Sequence, residues 1–455
     1  MKPHHRLWVG ALSLALVAQA PISGASPIKL GSLCSKVEST ATVAGVHLVC
    51  KKVGKSQKWV LAIKATYPTP SPTPSPTPSP TPSYVLSDLG NYQDVSGCKL
   101  PDTTKHDFYG SIAIGFPNPS ALRGKSVIRA YALFVDYPDY PANYDPTTDT
   151  SQITPYIDEF YKTVSYGRLG FNWTVSKKFS RMPHEVSYYN LNSDTFQQKK
   201  DDNTVFLQDA ITAGDSSVDY SQYDLVIIFS PNSIPYSLNG SSAGTRSGNI
   251  FKIMSSHGQV KNIQTQSSLE KQVYGTTLLG TKWGGLAHEI GHELGLVDLY
   301  SYSNASDRFS SLPDFDYMNN LWDGRGIEPL AWERWLMNFL PDSQVICLAR
   351  PLQGTFTTRL DAVELNSSEK KMIVIPIAQT QALVIESRRA VGFDKLLPLN
   401  EQGLLVYTVD TSVLTGAGPI HSVGVGVTHL NTLGYDIAVL STSATSDVVT
   451  ITRTS

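Results

Sequence analysis

His288-Glu289-Ile290-Gly291-His292-Glu293-Leu294-Gly295-Leu296-Val297-Asp298 is the stretch on which the reading of this chain turns. In a helix, residues four apart share a face, so His288 and His292 can present two imidazole nitrogens to one metal ion while Glu289 leans over its open side. Gly284 and Gly285 precede the run, and Gly295 offers the left-handed residue with which such a helix stops. A turn there can bring Asp298 back toward the histidines. The spacing H-E-x-x-H-x-x-G-x-x-D then supplies three ligands and leaves a fourth position for water, the outline of a hydrolytic zinc site with Glu289 as general base. Glu328 and Glu333, further along the chain, are the alternative sources of the third ligand. A bare H-E-x-x-H also arises by chance on amphipathic helices. This chain carries a contrast in His184-Glu185, which opens such a motif but has Tyr188 where the second histidine would stand.

Outward from the motif, 455 residues with 41% hydrophobic and 17% charged content exclude a disordered or fibrous chain and allow more than one domain. The formal net charge of −2 gives no reason to expect a nucleic-acid partner. Lys2 and Arg6, the apolar run from Leu7 to Val17 and the small residues Ser23-Gly24-Ala25 read as a secretory signal peptide over 1–25. The apolar run is shorter than the roughly 20 residues that a membrane-spanning helix needs, although an uncleaved anchor is the alternative. No later segment is apolar enough to span a bilayer.

Residues 67–83 carry a Pro-Thr-Pro-Ser repeat and form an extended linker that can be neither helix nor central strand. Before it, residues 26–66 hold seven lysines against one glutamate and alternate apolar residues around Val43–Val49 and Trp59–Ile63, which predicts a small basic β-unit. Its charge could hold it on an anionic cell envelope, or it could be a solvated spacer; co-sedimentation with envelopes at low salt separates the two. After the linker, residues 84–344 show α/β signals: buried strands at Val127–Asp136 and Leu225–Phe229, helix at Ile157–Val164 and at Pro329–Leu340, and the motif helix. Residues 345–455 change to short β-rich runs, a sandwich or a sheet packed on the catalytic part.

Four cysteines in an exported chain permit disulfides. Their distribution favours Cys34 with Cys50 in the small unit and, by elimination, Cys98 with Cys347 in the large one. The competing reading takes Cys98-Lys99-Leu100-Pro101-Asp102 as a latency switch whose free thiolate occupies the metal's open position.

The motif followed by Asp298-Leu299-Tyr300 resembles the immune inhibitor A family of secreted bacterial metalloproteases, relatives of the metzincins. Similar stretches run from Val127 to Asp410: Val135-Asp136-Tyr137-Pro138-Asp139, Ser165-Tyr166-Gly167-Arg168-Leu169, Tyr317-Met318, Leu330-Ala331-Trp332-Glu333, and the β-runs around Val384–Arg388 and Gly403–Asp410. The resemblance implies a metzincin-like α/β protease domain, His288, His292 and Asp298 as zinc ligands, and Glu289 as general base. It further implies Met318 as the apolar floor under the metal, while Tyr300 and Tyr317 are both near enough in sequence to stabilise an oxyanion. The chain departs from the usual metzincin pattern in lacking a third histidine. Structural Ca²⁺ accompanies such proteases, and Asp136, Asp139, Asp145 and Asp149 could supply its oxygen ligands, although a solvated acidic loop is the plainer reading. The expectation is a secreted zinc endopeptidase acting on protein or peptide substrates. The alternative is an envelope-bound adhesin or binding protein on a protease scaffold, against which the intact His288, Glu289 and His292 argue.

Overall fold

The computed structural model describes residues 32–61 apart from 44–45 and 54, and residues 93–454 apart from 105–113, 190–195, 232–233, 235–251, 267–283, 304–307, 313, 321–324 and 349–353. The signal peptide expected at 1–25 and the linker at 67–83 lie outside the described residues. The chain divides into two compact units, Met1–Ser83 and Tyr84–Ser455.

The first unit is an antiparallel meander of β1 (Thr40–Val43), β2 (Val46–Val53) and β3 (Ser56–Leu61). Among its described residues, the core cluster is Cys50 and Trp59, with Cys34 and Ala41 packed against them. So small a core needs a covalent tie. The Cys34–Cys50 disulfide, across a separation of 16 residues, contributes about 3 kcal/mol on a chain-entropy argument. Lys36, Lys51, Lys52 and Lys55 are exposed, and Lys51 faces Lys58 across the β2–β3 ladder, so the basic character lies on the surface.

The second unit begins with a parallel sheet. It is built from β4 (Val127–Asp136), β5 (Gly170–Val175), β6 (Ser180–Arg181), β7 (Leu225–Phe229) and β10 (Ile263–Gln266), ordered β10-β7-β4-β5 with β6 pairing the end of β4. A short hairpin, β8 (Ile253–Ser255) with β9 (Gly258–Val260), precedes β10. Period-2 alternation assigns the two faces of β4. Ile128, Ala130, Ala132 and Phe134 enter the core that contains α1 (Thr147–Val164), while Tyr131, Leu133 and Val135 enter the one that contains α2 (Phe196–Gly214). Both faces are therefore covered, which is why β4 and β7 read as nearly continuous apolar runs.

The motif helix α3 (Gly284–Glu293) lies on the α1 side, beside β10. Tyr161 of α1 donates its hydroxyl to the Ala287 carbonyl (2.6 Å), and Gln264 of β10 donates to Glu293 (3.1 Å). A short helix, α4 (Ala331–Leu336), brings Trp332 and Trp335 edge-on to Phe116, with ring centroids 5.6 and 4.7 Å away. Asn338, at φ +68°, follows it, so helix is confined to the middle of the expected Pro329–Leu340 run.

The C-terminal region is a two-sheet sandwich. One sheet orders β11 (Val345–Cys347), β13 (Met372–Pro376), β14 (Gln381–Arg388), β15 (Gly403–Asp410) and β16 (Ile420–Val427); the other orders β12 (Thr355–Asp361), β19 (Ser446–Arg453), β18 (Tyr435–Thr442) and β17 (His429–Thr432). Ile373, Ile375, Leu383, Ile385, Leu404 and Val406 face the second sheet, whereas their alternates Met372, Val374, Val384, Leu405 and Tyr407 join the core that holds α3 and α4. The first sheet is thus buried on both faces and fuses the sandwich to the α/β layer. Cys98–Cys347 closes a separation of 249 residues and ties the start of this unit to β11. Among the described residues, no helix is long and apolar enough to cross a membrane.

Candidate metal centre

Helix α3 stops at Gly295, which adopts φ +92°. The Leu296 amide reaches back to the Gly291 carbonyl and the Gly295 amide to that of His292, both at 3.0 Å, closing a Schellman turn. A side chain at Gly295 would also collide with the Asn118 amide, which donates to the Leu294 carbonyl (2.9 Å) and the Leu336 carbonyl (3.3 Å). The reversal returns the chain so that Asp298 Oδ1 lies 2.9 Å from His288 Nε2 and 3.3 Å from His292 Nε2. These three donor atoms lie within 4.8 Å of one another and all three residues are buried. Among the described residues no other group of three His, Cys, Asp or Glu is arranged to hold a metal.

The protonation of the imidazoles follows from their outer partners. His288 Nδ1 is 2.9 Å from the Tyr317 carbonyl, and His292 Nδ1 is 2.9 Å from the Leu296 carbonyl. A carbonyl only accepts, so each Nδ1 carries a proton and a neutral ring turns its Nε2 lone pair toward Asp298. Two lone pairs and a carboxylate oxygen facing one point repel unless a proton or a cation lies between them. Without a cation, burial opposes charge on His288, but its hydrogen bond and attraction to Asp298 prevail and push it up to about 9. The Asp298 carboxyl is held well below its usual range: burial works against its charge, and the two histidines outweigh burial. The donor set fits a metal ion, with two imidazoles and one carboxylate as protein ligands and carbonyls fixing both rings.

Met318 is fully buried beneath α3. A Cβ at Gly291, between the two histidines, would come within 2.7 Å of both Met318 Sδ and the Tyr317 hydroxyl, so this position needs glycine to seat the turn. Asp316, at φ +70°, shapes that turn by accepting from the Met318 amide (2.7 Å) and the Leu330 amide (2.8 Å). The Leu299 amide donates to the Met318 carbonyl (3.0 Å), joining the turn to the Asp298 segment.

The remaining expected residues part company. Glu289 is half-buried, and its charge reaches both His288 and Tyr300. Tyr300 is stacked along His288 at 6.2 Å between centroids and lies under the Arg308 guanidinium at 4.4 Å. Tyr317 is buried, with its hydroxyl against Gly291 and its ring 5.2 Å from Phe160, so it touches the site through its carbonyl. Glu328 pairs with Arg334 at 2.5 Å, and Glu333 is buried beside Asp316. The structure brings neither glutamate into the His288 cluster. Cys98 is disulfide-bonded, so it offers no free thiolate and the latency switch is excluded. Asp136 pairs with Arg181 (2.7 Å), Asp139 accepts from the Val186 amide (3.1 Å) and Asp145 accepts from Thr147 (2.9 Å); these carboxylates serve protein donors separately, while the Asp149 side chain lies outside the description.

Three supports had no local sequence signal. Asn118 fastens the C-terminal end of α3 from upstream. Thr415, in the loop between β15 and β16, accepts the Asp298 amide hydrogen at 3.0 Å, and Tyr302 donates its hydroxyl to Asp298 Oδ2. No protein-family model matches the chain, and no curated protein does.

Proposed function

We propose that this protein is a secreted zinc-dependent endopeptidase, metzincin-like in its catalytic domain and akin to the immune inhibitor A family that its motifs resemble. The observation that carries this reading is the convergence of His288 Nε2, His292 Nε2 and Asp298 Oδ1 in a buried site whose imidazole tautomers are fixed by backbone carbonyls. Three ligands of this type are the usual protein share of a catalytic zinc site. When bound there, zinc supplies Lewis acidity toward a peptide carbonyl and lowers the pKa of water toward about 7. Glu289, next to a ligand and only half-buried, accepts the proton of the attacking water and returns it to the leaving amine. Tyr300, stacked along His288, is the hydroxyl better placed to donate to a developing oxyanion, since the Tyr317 hydroxyl is packed under α3.

The test uses the purified full chain and casein. Hydrolysis should disappear with a strong chelator and return with Zn²⁺. Glu289→Ala should retain one zinc per chain and lose hydrolysis, because it removes the base and leaves the ligands. Metal-free activity, or a fully active Glu289→Ala protein, would sink the proposal.

A further inference from the structure

The third ligand belongs to the sandwich as much as to the motif. Asp298 divides its two carboxylate oxygens: Oδ1 faces both histidines, at 2.9 and 3.3 Å, while Oδ2 accepts the Tyr302 hydroxyl and stands 3.5 Å from Thr415 Oγ1, at the long limit of a hydrogen bond. Thr415 Oγ1 also accepts the Asp298 amide hydrogen at 3.0 Å, so one hydroxyl touches both the backbone and the carboxylate of the same residue. The Gly416 amide donates to the Asp298 carbonyl (2.9 Å), and the Tyr302 amide donates to the Gly416 carbonyl (2.8 Å). Gly416 has φ +70°, and a Cβ there would overlap the Tyr302 ring. The loop joining β15 to β16 therefore grips both Asp298 and the tyrosine that holds it.

From this arrangement we infer that Tyr302 and Thr415 are positioning residues for the metal. They engage Oδ2 so that Asp298 presents Oδ1 alone, as a one-oxygen ligand, and they make metal affinity depend on a loop of the C-terminal sandwich. A carboxylate free to rotate would offer either oxygen or both, and would have to be ordered when the metal arrives. The clamp removes that cost before binding, as hydrogen-bonded outer partners of metal ligands do. The inference rests on the proposed metal site and deepens it.

The experiment measures Zn²⁺ affinity of the full chain by competition with a chromophoric chelator, and the visible spectrum of the Co²⁺-substituted protein. Tyr302→Phe and Thr415→Val each remove one hydroxyl with little change in shape, and each should weaken Zn²⁺ binding by about 10- to 100-fold and alter the Co²⁺ bands. Thr415→Ser, which keeps the hydroxyl, should bind as the wild type does. Gly416→Ala, by displacing the Tyr302 ring, should reproduce the Tyr302→Phe defect. Wild-type affinity in both Tyr302→Phe and Thr415→Val would overturn the clamp while leaving the metal site intact. A wild-type chain that binds no Zn²⁺ would instead overturn the proposed function on which the clamp rests. Should Thr415→Val be too unstable to purify, Tyr302→Phe decides alone, since Tyr302 is 46% exposed and its hydroxyl can be removed without opening the core.

Discussion

Around Arg388 the larger unit buries four carboxylates and two guanidinium groups, and around Asp298 it buries one carboxylate and two imidazoles. In the first cluster Arg388 meets Glu364 at 2.9 Å, Glu386 at 3.0 Å and Asp394, while Arg334 meets Glu328 at 2.5 Å, all with fully buried side chains. Backbone amides complete it: Glu328 accepts from Phe393, Asp394 from Glu328, and Glu386 from Ala331, each at 2.8 Å. Both signs of charge are present, but two guanidinium groups match only two of the four carboxylates, and burial holds Glu364 and Asp394 above their usual range, toward the protonated form; the cluster joins the α4 segment to β14. In the second cluster the Nδ1 atoms are satisfied, and with both rings neutral the inward atoms are all electron-pair donors. The contrast separates a structural tie from a candidate ligand set: the first cluster already contains guanidinium groups among its carboxylates, whereas buried donors that face one another need a proton or a cation between them.

The largest effect should come from breaking the Arg388 cluster. Arg388→Met removes the guanidinium and leaves Glu364, Glu386 and Asp394 buried without it. A loss of about 3–5 kcal/mol is expected, read as a lower urea midpoint at unchanged m-value. An unfolding free energy within about 1 kcal/mol of wild type would mean that the carboxylates neutralise themselves and that the arginine is not their counter-ion.

Next in size is the response to metal. A ligand that binds only the folded chain stabilises it by about 2.7 kcal/mol at a free concentration of 100 times its Kd. Thermal unfolding of the wild type with Zn²⁺ should therefore occur well above that in chelator. His292→Ala should show no such difference, and Arg388→Met should retain it. Superimposable wild-type curves would place the Asp298 cluster in the same class as the Arg388 cluster, as a structural tie of charged histidines.

How much of this was legible in the sequence differs between the two clusters for a physical reason. The candidate ligand trio lies within eleven residues on one helix and its stop, so the 3.6-residue period brings His288 and His292 together and the left-handed glycine makes Asp298 the favoured third member. The β4 and β7 spans could likewise be read from continuous apolar runs, because burial on both faces of a parallel sheet leaves that signature. The cysteine pairing could be read from distribution, since Cys34 and Cys50 share the small unit and leave Cys98 for Cys347. By contrast, Arg388 finds Glu364 and Asp394 only through the folding of β14 against neighbouring loops, and Thr415 reaches Asp298 across 117 residues. Contacts of that kind leave no period and no spacing. Glu328 and Glu333 looked like ligand candidates because they are acidic and follow the motif; Arg334 and Asp316 claim them instead, one by pairing and one by proximity.

Glu333 stands where the two clusters approach each other and gives the smallest and sharpest test. Burial, followed by the negative charges of Asp316 and Glu386, holds its carboxyl well above the usual range. Asp316 shapes the Met318 turn under the His288 helix, and Glu386 is a partner of Arg388. From about pH 4.3, where an unfolded glutamate ionises, up to its raised folded value, the native chain keeps a proton that the unfolded chain has lost. Stability therefore falls as pH rises through that window, by up to about 1.4 kcal/mol per pH unit. Glu333→Gln remains neutral at every pH and still offers an amide toward Asp316, so the variant should lack this slope. Urea midpoints of both proteins, measured in chelator so that pH-dependent metal binding drops out, should move apart in favour of the variant as pH rises from about 4.3 toward the raised folded value. A constant difference across that range would mean that Glu333 ionises alike in the folded and unfolded chain. Glu333 would then form no neutral bridge between the candidate ligand set and the charge network.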